Sequence, residues 1–157
     1  MMKKIFTSVN GDKITDIVDY SLNVVKENPD VKIYIGGDSK RVNKKTCYAI
    51  VVAFRFGNRG VHYVYHKEIR PTPKTKWDRL LTEIELVINF GQWFMDNTPL
   101  RVHAIDLDLN QDEKYYSNKL HSIGKGWGES LGVPVFTKPD EVVASKAADN
   151  IVNKFSG

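Results

Sequence analysis

Five carboxylates stand where acids can do chemistry. Asp38 follows the apolar run 31–37, Glu83 lies inside a helical pattern, Asp106 and Asp108 sit in the run 102–109, and Asp149 lies in a last helical pattern. Acids at strand ends and on adjoining helices can converge on divalent cations. Hard cations such as Mg²⁺ take oxygen ligands, and a pair of them clamps a phosphodiester for in-line attack. Each acid also has an ordinary role to weigh. Asp38, behind Gly36 and Gly37, reads either as a ligand at a strand end or as a turn residue. Glu83 falls within the apolar arc of Leu80, Ile84, Val87, Ile88, Gly91, Phe94 and Met95. A core-directed carboxylate needs a metal or a cationic partner. Glu85 points away from that arc, with Asp78 and Asn89. Asp106 and Asp108 share one strand face. Asp108, nearer the strand's C-terminal end, is better placed for a site beyond it; Asp106 reads as a second ligand, a lysine partner or an exposed residue. Asp149 lies off the arc of Ala144, Ala148, Ile151, Val152 and Phe155, so the local pattern makes it a surface residue.

The elements that must position these acids follow from periodicity. Residues 13–27 carry a helical stripe, Ile14, Ile17, Val18, Leu22 and Val25, ended by Asn28-Pro29. Residues 31–37 and 46–56 read as strands. Gly57-Asn-Arg-Gly60 is a turn into a third strand over 61–69, giving an antiparallel hairpin. Pro71 and Pro73 break the chain before the longest helix, 76–96. A fourth strand spans 101–109, a helix 117–131, a fifth strand 133–136 and a last helix 140–155. Gly124, Gly126 and Gly128 inside the helix 117–131 each cost about 1 kcal/mol against alanine, so they allow close packing or mark partial loop. Past residue 70 the strand-helix-strand steps imply parallel pairing by right-handed crossovers. The expected fold is α/β: a mixed five-stranded sheet flanked by helices, with an added N-terminal helix in an extension over 1–30. At 157 residues and 41% apolar content, one domain over 1–157 is expected.

A net charge of +4 permits a polyanion partner. One cysteine, Cys47, cannot form an internal disulfide and suits a reducing, cytoplasmic setting; its apolar run makes it a structural thiol. No apolar stretch reaches the length of a membrane span, and no signal peptide is read. The run Arg70-Pro-Thr-Pro-Lys-Thr-Lys-Trp77 and the pairs Lys40-Arg41 and Lys44-Lys45 flank the acids. Lys40, Arg41, Lys74 and Lys76 could hold phosphates and Trp77 could stack a base; equally they solvate loops, with Trp77 packed on its helix. The four histidines, at 62, 66, 103 and 121, lack metal-ligand spacing. Walker, zinc and serine-elbow patterns are absent.

Several short strings, in order, resemble the ribonuclease H superfamily, and more closely its YkuK-type ribonuclease-H-like family of bacteria and phages. They are Ile35-Gly-Gly-Asp-Ser39, Arg79-Leu-Leu-Thr-Glu83, Val102-His-Ala-Ile-Asp-Leu-Asp-Leu-Asn110, Ser117-Asn-Lys-Leu120, and Lys138-Pro-Asp140 leading into Ala144-Ser-Lys-Ala-Ala-Asp149. The resemblance implies that Asp38, Glu83, Asp108 and Asp149 bind two Mg²⁺ or Mn²⁺ ions and cut a nucleic acid. The family's fourth-strand string usually holds one Asp where this chain has Asp106 and Asp108, and Asp106 stays a candidate ligand. The expected chemistry is metal-dependent phosphodiester hydrolysis on RNA, DNA or hybrid. Its rivals are a non-catalytic nucleic-acid-binding module and a regulatory protein with one structural ion.

Overall fold

The computed structural model describes residues 4–110, 115–138 and 143–156, with the backbone alone for 108–110, 115–118 and 138. The elements are β1 (Phe6–Ser8), β2 (Lys13–Ile14), α1 (Ile17–Glu27), β3 (Lys32–Val42), β4 (Lys45–Arg55) and β5 (Val61–Pro71). They continue as α2 (Lys76–Asn97), β6 (Val102–Asn110), α3 (Tyr115–Glu129), β7 (Val135–Lys138) and α4 (Ala144–Val152). The sheet is mixed and seven-stranded, ordered β2-β1-β5-β4-β3-β6-β7. The expected hairpin of β4 and β5 is antiparallel, and β3, β6 and β7 pair in parallel through α2 and α3, as the crossovers require.

The expected five strands become seven because β1 and β2 escape periodicity. A strand of three residues and one of two are too short to show alternation, yet Phe6 pairs with Ile14, and Thr7 with Tyr65. Residues 13–14 therefore leave the helix that their apolar spacing suggested. Asp16 starts α1, its side chain accepting from the Asp19 N–H at 2.9 Å. No added N-terminal helix is evident among the described residues: α1 is one of the four helices of the fold itself, with Ile17, Tyr20, Val24 and Val25 in the main core.

Two cores lie on the two faces of the sheet. On one, α1, α2 and α3 cover Ile33, Ile35, Ile105 and Leu107; on the other, α4 covers Tyr34, Ala49, Val51 and Ala104. Residues of β3 alternate between them. Asp38 does not end this strand, as its sequence suggested. The β3–β4 ladder runs unbroken from Lys32↔Arg55 to Val42↔Lys45, and the chain reverses at Asn43, where φ is 57°. Gly36 and Gly37 serve close packing. A Cβ on Gly36 would lie 2.8 Å from Ser145 N and from Asp106 O, and one on Gly37 would lie 2.5 Å from Val87 Cγ2 and 2.6 Å from Ala49 O. The two glycines let α4 and α2 press onto opposite faces of one strand. In α3, Gly124 and Gly128 do the same against Leu107 and Val135.

Candidate functional site

Asp38 is half-buried in β3, on the α4 face, because it lies two residues beyond Gly36. The last described pairing of β3 with β6 is Gly37↔Leu107, so Asp38 and Asp108 are the next residues on two neighbouring parallel strands. The side chain of Asp108 lies outside the described residues. Asp149, half-buried in α4, accepts from Asn153 Nδ2 at 3.2 Å. Helix α4 runs in the direction of β3. Its start lies against Gly36, and Lys40 Nζ reaches Asn153 O at 3.4 Å. From Ser145 to Asp149 is about 6 Å at ~1.5 Å per helical residue, and from Gly36 to Asp38 about 6.6 Å at ~3.3 Å per strand residue. Asp149 therefore stands level with Asp38 on one face. The helical arc put Asp149 off the core, and its half-buried state agrees with that.

Glu83 points inward, as its arc requires, and is only 4% exposed, whereas Glu85 is exposed. Glu83 belongs to the α2 face. Ser39, next to Asp38 and therefore on the opposite side of β3, donates its hydroxyl to Glu83 Oε1 at 2.6 Å. Arg79 Nη1 donates to Ser39 Oγ at 2.7 Å and to Ser39 O at 3.1 Å. Ser39 and Arg79 are site residues beyond those that the sequence predicts. A readable signal was there: Arg79 precedes Glu83 by four residues, one turn earlier on the same helix face. Tyr48, paired with Ser39 across the β3–β4 ladder, borders this group. Burial pushes its phenol up and Glu83 reinforces the rise, against the pull of Thr82, Arg79 and Arg70.

Asp106 is completely buried and occupies the start of α4. Its Oδ2 accepts the N–H groups of Val143 at 3.1 Å and Ala144 at 2.9 Å; its Oδ1 accepts that of Ser145 at 2.6 Å. These are the donors that a helix leaves without internal partners. Helix α4 lacks a side-chain cap of its own, and the strand residue supplies one from across the interface. Burial pushes the Asp106 carboxyl above the ordinary carboxylate range, against the opposing hydrogen bonds from Ser145, Ala144 and Val143. Neither a lysine partnership nor exposure, the two bland readings of this residue, describes it.

The basic residues divide between the faces. Arg41, Lys74, Lys76 and Arg79 line a small cavity of about 150 Å³ at the start of α2, together with Thr72, Pro73 and Thr75. Lys40 lies with α4 instead, through Asn153. Trp77 is half-buried and packs against the main core. His121, on α3, bonds Thr137 Oγ1 at 2.8 Å. Cys47 is buried in β4, and burial raises its thiol, which suits a structural role. Among the described residues, no group of three or more His, Cys, Asp or Glu is assembled. Among them too, no helix is long and apolar enough to cross a membrane.

All the acids offer hard oxygen donors, which suits Mg²⁺ or Mn²⁺ and is unsuited to soft ions. A family model described as ribonuclease H-like matches residues 14–153. No curated protein matches the chain.

Proposed function

This chain belongs to the YkuK-type ribonuclease H-like family, and we propose that it is a metal-dependent nuclease acting as one domain in a reducing, cytoplasmic setting. The observation that carries the reading is the level placement of Asp38 and Asp149 on one face, with Asp108 next to Asp38 in register. Glu83, held at Ser39, supplies a fourth carboxylate from the other face of β3. Asp38, Asp108, Asp149 and Glu83 are the carboxylates that would hold Mg²⁺ or Mn²⁺. When bound, a pair of such ions activates water and stabilises the leaving oxygen.

The chain's own residues do the rest. Asp106 is assigned to anchoring α4, because both its oxygens are occupied by backbone N–H groups. It thereby fixes the height of Asp149 over β3. Arg41, Lys74 and Lys76 hold backbone phosphates of RNA, DNA or a hybrid at the cavity beside α2, and Lys40 meets phosphate on the α4 side. Trp77 stiffens the loop that presents Lys74 and Lys76, its ring packed on the core. The non-catalytic binding module is the second reading. It is favoured by the basic cavity beside α2, which can hold phosphate without a metal.

One assay separates the two. The purified chain is incubated with Mn²⁺ and labelled single strands, duplexes and hybrids, beside Asp38→Asn. Cleavage that needs Mn²⁺ and vanishes in Asp38→Asn supports the nuclease. Binding without cleavage on every substrate supports the binding module.

A further inference from the structure

Nothing about a long glutamate side chain fixes its carboxylate, and in this chain a second pair of residues does so. The Ser39 hydroxyl has one proton, given to Glu83 Oε1 at 2.6 Å. Its lone pair takes Arg79 Nη1 at 2.7 Å. The same Nη1 also meets the Ser39 carbonyl at 3.1 Å, which ties the guanidinium to the strand backbone. The hydroxyl is therefore oriented from both sides: a permanent cation on its acceptor side directs its proton toward the carboxylate. Ser39 is 8% exposed and Glu83 4%, so the exchange takes place largely out of water, where such chains polarise one another. Arg79 also lines the basic cavity with Arg41, Lys74 and Lys76. One guanidinium thus borders both the cavity and the carboxylate's partner.

We propose that Ser39 and Arg79 are positioning residues for Glu83, and that Arg79 joins its orientation to the phosphate-binding cavity. The proposal rests on the nuclease reading, in which Glu83 is a metal ligand. Groups that orient a ligand typically change metal affinity by about 10–100-fold when lost. Ser39 touches Glu83 and not the cavity; Arg79 touches Ser39 and the cavity. The two residues should therefore fail differently.

The test is calorimetric titration of the full chain with Mn²⁺, paired with fluorescence anisotropy of a labelled single-stranded oligonucleotide in metal-free buffer. Folding of each variant is checked by circular dichroism. Ser39→Ala is expected to weaken Mn²⁺ roughly tenfold or more and to leave metal-free oligonucleotide binding unchanged. Ser39→Thr, which restores the hydroxyl, is expected to recover Mn²⁺ affinity. Arg79→Gln is expected to weaken both. A Ser39→Ala protein that takes up Mn²⁺ like the wild type overturns the proposal and leaves the nuclease reading standing. So does a Ser39→Thr protein that folds but recovers nothing. An Arg79→Gln protein with unchanged oligonucleotide binding overturns the link to the cavity. A wild type that takes up no Mn²⁺ overturns the nuclease reading and this proposal together.

Discussion

Replacing Asp106 by asparagine tests whether that carboxylate is the cap of α4. The amide keeps the shape and one acceptor oxygen. Placed at the Oδ2 position, that oxygen still accepts from Val143 and Ala144, but the NH₂ then faces the Ser145 N–H, which sits 2.6 Å from Oδ1 in the native protein. The flipped amide is worse, setting two N–H groups against the NH₂. At least one buried donor is orphaned either way, costing about 1–3 kcal/mol. Burial raises the Asp106 pKa, so removing its charge relieves a desolvation cost, and the donor–donor conflict sets the loss. For a chain of this size each kcal/mol moves Tm by roughly 2–4 °C, so a fall of about 2–12 °C is expected. Asp106→Ala, which strands three donors and opens a cavity, should cost more. Thermal melting gives the size, and amide hydrogen exchange gives the place: protection should drop first at Ser145. An Asp106→Asn protein melting within about 1 °C of the wild type, with Ser145 still protected, would refute the reasoning.

Glu83→Gln should weaken Mn²⁺ uptake roughly tenfold or more in titration calorimetry, while Glu85→Gln, changing an exposed side chain, should leave it intact. Gly37→Ala forces a Cβ against Val87 and the Ala49 carbonyl, so chemical denaturation should show a loss of about 1–3 kcal/mol; an unchanged midpoint would mean that α2 does not press on β3. Burial and the Tyr20 hydroxyl, 2.5 Å from Nε2, surround His62, and burial lowers its pKa. The unfolded chain takes that proton near pH 6.5 and the folded one resists it. Stability from this group is therefore complete above about pH 6.5 and lost as pH falls toward the depressed value; melting between pH 7 and 5 should show a shallower decline in His62→Gln. His103, also lowered by burial, keeps part of the slope. Nucleic-acid binding should weaken with salt by about 0.9 log units of affinity per tenfold salt for each phosphate contact, and anisotropy of Lys74→Ala should show a slope shallower by about that amount.

The long elements were legible because they are periodic. The arc of Leu80, Ile84, Val87 and Ile88 put Glu83 inside and Glu85 outside, and both lie there. The parallel pairing of β3, β6 and β7 followed from the crossover helices. What stayed hidden was set by partners distant in sequence. Strands β1 and β2 exist only as an addition to the β5 edge, though Asn10-Gly11 between Phe6 and Ile14 is a hairpin signal, and Gly11 has the positive φ of 90° that such a turn uses. The role of Asp106 depends on the start of α4, some forty residues later, so its own strand gave no sign of it. The glycines before Asp38 read locally as a turn, and only the helices on both faces reveal why side chains are excluded there.

That exclusion links the fold to the proposed chemistry. A strand carrying side chains at both glycine positions would hold α4 and α2 away from β3 on opposite faces. Asp149 rides on α4 and Glu83 on α2, so separation of either helix would carry its acid away from Asp38. Asp106 adds direction to this closeness: it fastens the first residues of α4 beside Gly36, and the helix rise then delivers Asp149 to the level of Asp38. Ser39 and Arg79 do the corresponding work for Glu83 on the other face. The acids thus depend on a set of neighbours in β3, β6 and α2 that set their positions. The stretch Gly36-Gly37-Asp38-Ser39 holds the strand's share of that set: two residues for close approach, one acid, and one hydroxyl that orients a second acid.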